Sequence, residues 1–362
     1  MRTIQMSSYT VGEDCFEAIP AVLAPYQAKT VVLVGGRRAL AAAAPGIRAA
    51  LDSANVQILD EIVYGTDSTQ STIDALVANR AFRDADIAFA IGGGKAIDTV
   101  KTAAKELDKT VFSVPTICSN CSSATAIAVV YNDDHSLKGY AYPDAPAHIF
   151  INPAIIAAAP EEYFWAGIGD ALSKQPEVEY AASEAELTHT GTLGLTLAHT
   201  CTDPLMAYGE QGLADVRVGQ SSEAVRQIAL DIVVNTGYVS NLTNQPDFYY
   251  NSSLAHAFYN ATTGVQRPGR THLHGEVVSF GVLVLFAYTS DTEQLARYAA
   301  FNKKLGLPVT LAELDLDESH LQRIAELAQN TNEWKQANPA PFSPEEFIEA
   351  IKAADAFGRN LK

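Results

Sequence analysis

The sequence has few cysteines, and their spacing excludes one class of metal protein. Its 362 residues include only Cys15, Cys118, Cys121 and Cys201. Cys118 and Cys121 form a lone C-x-x-C without a second such pair, so a thiolate zinc site of the finger type is unsupported. Redox chemistry at this pair is one interpretation, and two free thiols on a loop is the other.

Basic residues are also in short supply. The chain has 25 Lys and Arg against 42 Asp and Glu, which gives a formal net charge of −17. Phosphate backbones and anionic membrane surfaces attract basic proteins, so we predict neither nucleic acid nor membrane as a partner. A phosphorylated cofactor would have to be held locally, by backbone N–H groups and a few cations.

Long apolar runs are missing as well. No stretch approaches the roughly 20 apolar residues that cross a bilayer. Residues 1–10 lack the basic segment and apolar run of a signal peptide. We therefore expect a cytoplasmic protein.

The first part of the chain alternates between strand and helix patterns. Apolar β-branched runs predict strands at residues 30–34, 56–63, 87–91 and 111–114, with a hairpin over 126–131 and 137–142. Residues 148–151 are apolar and end at Asn152-Pro153. Helical patterns separate the strands, which predicts a parallel sheet with right-handed crossovers. The predicted α/β domain covers residues 1–157.

Helical periodicity dominates the rest of the chain. Apolar positions recur at helical spacing in residues 163–184, 188–199, 221–239, 277–288, 291–304, 318–327 and 344–357. Residues 158–362 are therefore predicted to form an all-α domain.

A glycine loop lies between a predicted strand and a predicted helix. Gly92, Gly93, Gly94 and Lys95 would let a phosphate approach the backbone at a helix N-terminus, with the lysine adding a cation. A purely steric need for glycine in the turn is the alternative. The pattern GGGK-x-x-D-T-x-K resembles the dinucleotide loop of the iron-containing (group III) alcohol dehydrogenase family. That resemblance implies a Rossmann-like first domain and an NAD(P)(H) cofactor.

Three segments of the helical half carry candidate metal ligands. They are AGIGDAL with Asp170, AHA with His256 and HGE with His274. Taken singly, Asp170 could cap a helix, His256 could be a core histidine and His274 could lie on the surface. The segments resemble the family's metal-ligand motifs in the family's order. The resemblance implies that these three side chains bind one divalent metal, Zn or Fe, and carry catalysis.

Two residues close to these motifs, His272 and Lys174, are not predicted to bind the metal. His272 falls outside the motif and is predicted to be a neighbour only. Lys174 stands where other branches of the family have a further histidine, which favours three protein ligands.

The segment after the fourth predicted strand resembles the family's P-T-I segment, which runs beneath the cofactor. The resemblance implies cofactor contacts from Thr116, Ser119, Thr125, Ile127 and Tyr131. A strand followed by an ordinary polar loop is the alternative interpretation.

Three positions depart from the glycerol dehydrogenase branch. Cys121 replaces a glycerol-binding aspartate, which favours a 2-hydroxy acid or 2-oxo acid and resembles the hydroxycarboxylate dehydrogenase branch. Gly36 replaces an aspartate that binds the adenosine ribose, and Arg37 and Arg38 add two cations after it, which favours NADP(H). Two exposed arginines at the start of a helix are the alternative interpretation. Tyr259 replaces a histidine near the substrate, and its phenol is a poor proton relay at neutral pH.

These features together predict a metal-dependent NAD(P)(H) oxidoreductase. The small-molecule substrate would be an alcohol or 2-hydroxy acid, converted to its carbonyl or 2-oxo acid. A glycerol dehydrogenase proper, a dehydroquinate synthase-type lyase on the same fold and a catalytically retired binding protein are the alternatives. A homo-oligomer is possible on the sequence.

Overall fold

The computed structural model describes residues 3–134, 136–265, 272–337 and 339–361 and divides into two compact units. The first unit comprises Met1–Glu161 and Ala214–Asn241, and the second comprises Glu162–Leu213 and Leu242–Lys362. The first break lies close to the predicted boundary between residues 157 and 158. The segment 214–241 differs from the predicted ranges, because it groups with the first unit.

The predicted parallel sheet is present in the first unit. The strands are β1 (Ser8–Val11), β2 (Thr30–Gly35), β3 (Gln57–Val63), β4 (Ile87–Gly92), β5 (Thr110–Pro115), β6 (Ala128–Tyr131), β7 (Leu137–Ala141), β8 (His148–Ile151), β9 (Asn244–Gln245) and β10 (Phe248–Tyr249). Six of them pair in the order β1-β8-β5-β4-β2-β3, and each of those pairings is parallel. Strands β6 and β7 form the predicted antiparallel hairpin. Strand β1 was not predicted, because its residues are polar or only half-buried.

Helices flank the sheet and make up nearly all of the second unit. They are α1 (Ile19–Leu23), α2 (Arg37–Ser53), α3 (Gln70–Ala78), α4 (Arg80–Asp84), α5 (Gly94–Glu106), α6 (Pro153–Ala157), α7 (Glu161–Ala171), α8 (Lys174–Ala182), α9 (His189–Ala198), α10 (Asp203–Arg217), α11 (Glu223–Leu230), α12 (Thr236–Thr243), α13 (Leu254–Thr262), α14 (His274–Tyr288), α15 (Thr292–Leu305), α16 (Leu321–Ala328), α17 (Asn332–Lys335) and α18 (Pro344–Asn360). No helix among the described residues is long and apolar enough to cross a membrane.

Two details correct the predicted helical half. The single helix expected over residues 163–184 is two helices, α7 and α8, because a turn at Leu172 and Ser173 interrupts it. The second unit is also not purely helical, since β9 and β10 form a two-residue antiparallel pair.

Alternation along β2 builds two cores, one on each face of the sheet. Val31 and Leu33 lie in the core that packs under α2, while Val32 and Val34 lie in the core under α3 and α5. A strand buried on both faces is expected where helices cover both sides of a parallel sheet. The carboxyl ends of β2, β4 and β5 therefore open at one edge, where the candidate cofactor residues follow.

Specific contacts explain why the segment 214–241 belongs to the first unit. The amide of Asn241 donates to the carbonyl oxygen of Ala124 at 2.8 Å and accepts from the N–H of Ala126 at 2.8 Å. Gly237 allows α12 to lie against the same loop, since a Cβ there would come 2.6 Å from the Cβ of Ala124. A π-helical turn, Asp231–Asn235, joins α11 to α12.

Candidate metal centre and cofactor site

Glycines bring the three ligand-bearing helices into backbone contact. A Cβ on Gly275 would come 1.8 Å from the carbonyl oxygen of Ala166 in α7, and one on Gly281 would come 2.6 Å from that of Ala255 in α13. Any larger residue would force α14 away from its two neighbours. Gly275 and Gly281 therefore have a packing role on which the positions of the candidate ligands depend.

The close approach gathers the three predicted metal ligands. Nε2 of His274 lies 2.9 Å from Oδ1 of Asp170, and Nε2 of His256 lies 3.6 Å from the same oxygen. One ligand atom from each residue lies within 4.8 Å of the others. His256 and Asp170 are 17% and 14% exposed, so the cluster is open to a small ligand without being on the surface.

The carboxylate of Asp170 and the imidazole of His256 each stabilise the charged form of the other. Burial opposes ionisation of Asp170, yet the nearby His274 and His256 hold its pKa well below the usual range. Burial likewise opposes the imidazolium of His256, but the Glu177 charge and the bonds to Asp170 and Glu177 raise its pKa to about 10. Binding of a metal ion at Nε2 of His256 therefore requires the ring to release a proton at neutral pH.

The donor set fits a divalent transition metal. One carboxylate oxygen and two imidazole nitrogens are ligands that Zn²⁺ and Fe²⁺ accept, and three protein ligands leave positions open for a substrate. Asp170, His256 and His274 could therefore hold such an ion.

A fourth residue, Glu177 on α8, was missed by the sequence reasoning. Its side chain is fully buried, and its Oε2 lies 2.6 Å from Nδ1 of His256. Its Oε1 accepts the N–H groups of Ser253 at 2.8 Å and of His256 at 3.0 Å. No local pattern marks this residue, because its role depends on a contact with His256, 79 positions along the chain.

His272 and Lys174 are engaged elsewhere. Nδ1 of His272 lies 2.8 Å from Oε1 of Glu276, and its Nε2 lies 3.3 Å from Oδ2 of Asp315. Nζ of Lys174 donates to both the carbonyl and the side-chain oxygen of Asn251, at 3.0 and 2.8 Å. Lys174 thus anchors the chain ahead of α13.

Tyr259 lies one turn after His256 on the same face of α13. Its ring meets the ring of His274 edge to face, with 4.2 Å between centroids. Burial and the charge of Asp170 raise the pKa of this phenol above its ordinary value. Tyr259 therefore stays protonated and can act as a hydrogen-bond donor beside the cluster.

The glycine loop in the first unit is compatible with both predicted interpretations, phosphate binding and a steric need for glycine. A Cβ on Gly93 would come 2.4 Å from Ile117, and one on Gly94 would come 2.8 Å from Asn120, so packing alone demands glycine. The same loop begins α5, whose first N–H groups can bind an anion. Nζ of Lys95 pairs with Oδ2 of Asp67 at 3.0 Å and remains half-exposed, 5.3 Å from the ring centroid of Tyr131.

The remaining motif residues hold the loop that follows β5. The buried ammonium of Lys101 lies 3.0 Å from Oδ1 of Asp98. It donates to the carbonyl oxygens of Ser122, Thr125 and Ile127 at 2.8, 3.0 and 2.7 Å. The aspartate and second lysine of GGGK-x-x-D-T-x-K are therefore structural, and two predicted cofactor residues supply carbonyls to this network.

The other residues of the predicted P-T-I segment have distinct surroundings. Thr116 is buried directly after β5, and its N–H donates to the carbonyl oxygen of Gly92 at 3.1 Å. Ser119 and Cys121 are half-buried in the loop that follows. Cys118 is buried, which raises the pKa of its thiol, so it is poorly suited to redox exchange.

Gly36 and Arg37 begin α2 after β2. Gly36 has an ordinary backbone conformation, φ −73°, and a Cβ there would meet no atom of the described residues within 4 Å. Arg37 lies on the rim of an open cavity of about 330 Å³, whose other lining residues include the ion-paired Arg48 and Glu61. No packing reason therefore requires glycine at residue 36.

Comparison with known proteins decides the family. Residues 10–160 match the sequence model of the iron-containing alcohol dehydrogenases. The chain is 31% identical to the glycerol dehydrogenase of Thermotoga maritima, over 83% of this chain and 82% of that protein. The chain belongs to the iron-containing alcohol dehydrogenase family.

Two further relatives agree with this assignment. The hydroxycarboxylate dehydrogenase A of Escherichia coli is 29% identical over 91% of each chain. The crystal structure of a probable glycerol dehydrogenase from Sinorhizobium meliloti superposes with a TM-score of 0.85, at 26% identity, covering 100% of both chains. The predicted fold and the predicted metal-dependent oxidoreductase activity on a small molecule are confirmed. In this family the reaction uses a nicotinamide cofactor and a metal.

Proposed function

We propose that the protein interconverts a small 2-hydroxy acid and its 2-oxo acid, with NADP(H) preferred as hydride carrier. Asp170, His256 and His274 would hold one divalent ion, and their approach to within 4.8 Å of one another carries the proposal. When bound, the ion supplies a Lewis acid that lowers the pKa of an alcohol or polarises a carbonyl.

The chain's own residues supply binding and orientation. Asp170 contributes the negative charge of the ligand set, and Tyr259 offers a phenolic O–H beside His274. The first N–H groups of α5 and the ammonium of Lys95 would bind the pyrophosphate of the dinucleotide. Asp67 holds that ammonium in place through its 3.0 Å contact.

The substrate proposal rests on Cys121. By resemblance this residue stands where glycerol dehydrogenases carry an aspartate that binds glycerol. A thiol is a weaker acceptor for a glycerol hydroxyl, and it does not repel a substrate carboxylate as an aspartate would. The similarity to the hydroxycarboxylate dehydrogenase of E. coli supports this choice.

Glycerol oxidation is the second candidate. The 31% identity to the glycerol dehydrogenase of T. maritima favours it. The two candidates differ in whether the substrate carries a carboxylate, so a substrate screen separates them.

The proposed cofactor preference rests on Gly36 and Arg37. By resemblance, glycerol dehydrogenases carry an aspartate at this position after β2, and such a carboxylate binds the ribose hydroxyls of NAD and disfavours a 2′-phosphate. Gly36 has no such carboxylate, and the exposed Arg37 adds a cation next to it.

The test is a steady-state screen of protein reloaded with Zn²⁺, Fe²⁺ or Mn²⁺. We expect net oxidation of NADPH by 2-oxo acids, and faster reduction of NADP⁺ by 2-hydroxy acids than by glycerol. His256→Ala should lose metal retention and turnover while keeping dinucleotide binding, measured by fluorescence titration. Wild-type activity in H256A would overturn the metal assignment, and a preference for glycerol would overturn the substrate assignment.

A further inference from the structure

We propose that Glu177 is a positioning residue that sets the tautomer of His256, so that Nε2 of this ring is free to bind the metal. The inference rests on the proposed metal site and adds to it a residue outside the ligand set. It follows from the different partners of the two carboxylate oxygens of Glu177, which are backbone N–H groups for Oε1 and the His256 ring for Oε2.

The first oxygen fixes the start of α13. The first N–H groups of a helix have no partner within the helix. The side chain of Ser253, which precedes α13, does not cap it. Oε1 of Glu177 accepts the N–H groups of Ser253 and His256 instead, at 2.8 and 3.0 Å. The orientation of the carboxylate is therefore set by the backbone that carries the ligand.

The second oxygen faces the ring of the ligand. Oε2 of Glu177 lies 2.6 Å from Nδ1 of His256. An ionised carboxylate only accepts hydrogen bonds, so Nδ1 must carry the hydrogen. The lone pair of the neutral ring is then on Nε2, which faces Asp170 at 3.6 Å. Metal-binding histidines are commonly oriented by such an outer carboxylate.

An isosteric substitution would reverse this arrangement. In Glu177→Gln the amide oxygen has to face the two backbone N–H groups, because an NH₂ group there would meet two donors. The NH₂ group would then face Nδ1 and donate to it. That tautomer places the hydrogen on Nε2 and blocks the ligand atom, while the size of the side chain and the helix cap are kept.

The measurement is the dissociation constant for Zn²⁺, by competition with a chromophoric chelator, in protein first stripped of metal. We expect E177Q to bind Zn²⁺ at least tenfold more weakly, within the range of about 10–100-fold seen for such outer partners. Its thermal midpoint without metal should stay close to that of the wild type. Long-range ¹H–¹⁵N spectra of ¹⁵N-histidine protein at alkaline pH should show the hydrogen of His256 on Nε2.

The chain offers a matched control in Glu333. This glutamate is also buried against α13, where it accepts from Asn260 at 3.1 Å, but no hydrogen bond joins it to a proposed ligand. Glu333 acts on His256 only through its charge, so Glu333→Gln should weaken Zn²⁺ binding much less than Glu177→Gln does. A loss in E333Q equal to that in E177Q would mean that burying any amide here weakens the site, and would overturn the proposal.

Glu177→Asp keeps the proposal falsifiable if E177Q loses stability. The aspartate is still an acceptor only, so it should bind Zn²⁺ more tightly than E177Q although its reach is shorter. Equal losses in the two variants would make Glu177 a structural residue and overturn the inference. Failure of the proposed function gives a different result, namely a wild type and an H256A variant that bind Zn²⁺ equally.

Discussion

At the scale of single residues, cofactor choice can be tested at the start of α2. Gly36→Asp should be accepted by the fold, because the position has open space and an ordinary φ of −73°. The new carboxylate would oppose a 2′-phosphate and accept the ribose hydroxyls of NADH. We expect KM for NADPH to rise at least tenfold while KM for NADH stays constant or falls.

Arg37→Ala provides the complementary measurement, with Arg38→Ala as its control. Both arginines are exposed neighbours, but only Arg37 lines the cavity beside Glu61 and Val63. We expect R37A to weaken NADPH more than NADH and R38A to have the smaller effect. Equal weakening of the two cofactors in R37A would contradict the proposed preference.

At the scale of single residues, the candidate ligands could be predicted only where a motif resembles that of a known family. Asp170, His256 and His274 could be selected only through the family resemblance, since spacing along the chain says nothing about a meeting of α7, α13 and α14. Glu177 escaped selection, because its role depends on a contact with a residue 79 positions away. Lys101 belongs to the glycine-loop motif, and only the structure shows that its ammonium is buried among carbonyl oxygens.

At the scale of elements, the pairing of β1 with β8 should respond to acid. His148 is buried between these strands, with Nδ1 2.7 Å from Oγ of Ser8 and Nε2 2.9 Å from Oγ1 of Thr10. Burial lowers the pKa of His148 to about 4. The unfolded chain binds a proton near pH 6.5, so stability from this group is present above that pH and is lost as the pH falls towards 4.

We expect this histidine alone to remove about 2 kcal/mol of unfolding free energy between pH 7 and pH 5. Urea titrations at several pH values measure the effect. His148→Gln cannot titrate, so its pH dependence should be shallower by that amount whatever its stability at pH 7. Parallel pH profiles for the two proteins would contradict the assignment.

Strands and helices were predicted best where their apolar residues form a regular pattern along the sequence. The strands β2, β4 and β5 are apolar on both faces and were placed to within a residue or two. Strand β1 is polar and was missed, because its place depends on its pairing with β8. The turn at Leu172 and Ser173 lacks glycine and proline, so helical periodicity hides it.

At the scale of the whole molecule, the first unit is assembled from two separate stretches of chain. Helical periodicity is the same for α11 and α12 as for the helices of the second unit. The sequence pattern therefore predicts that all of them belong to one helical domain. The distinction comes from the hydrogen bonds of the Asn241 side chain and from the missing side chain of Gly237, which lets α12 lie against the loop at residues 121–126. Neither contact can be predicted from the neighbouring sequence, because each joins residues more than 100 positions apart.

This organisation predicts which fragment folds alone. Residues 1–161 should not form a cooperative fold, because the loop around Ala124 loses the partners supplied by α12. Joining residues 1–161 to 214–241 should restore the fold, since the guanidinium of Arg217 lies 2.8 Å from the carboxylate of Glu161 and places the two ends close together. A linker of about six Gly and Ser residues, with a reach of about 20 Å, spans that gap.

Thermal unfolding followed by circular dichroism compares the two fragments. We expect a sigmoidal transition for the joined fragment and a broad, non-cooperative one for residues 1–161. Asn241→Ala in the joined fragment is the control, and it should cost about 1–3 kcal/mol because the backbone groups of the buried Ala124 and the half-buried Ala126 lose their partners. If residues 1–161 alone unfold as sharply and at the same temperature, the two-stretch unit is wrong, and α11 and α12 are only attached to a domain that is complete without them.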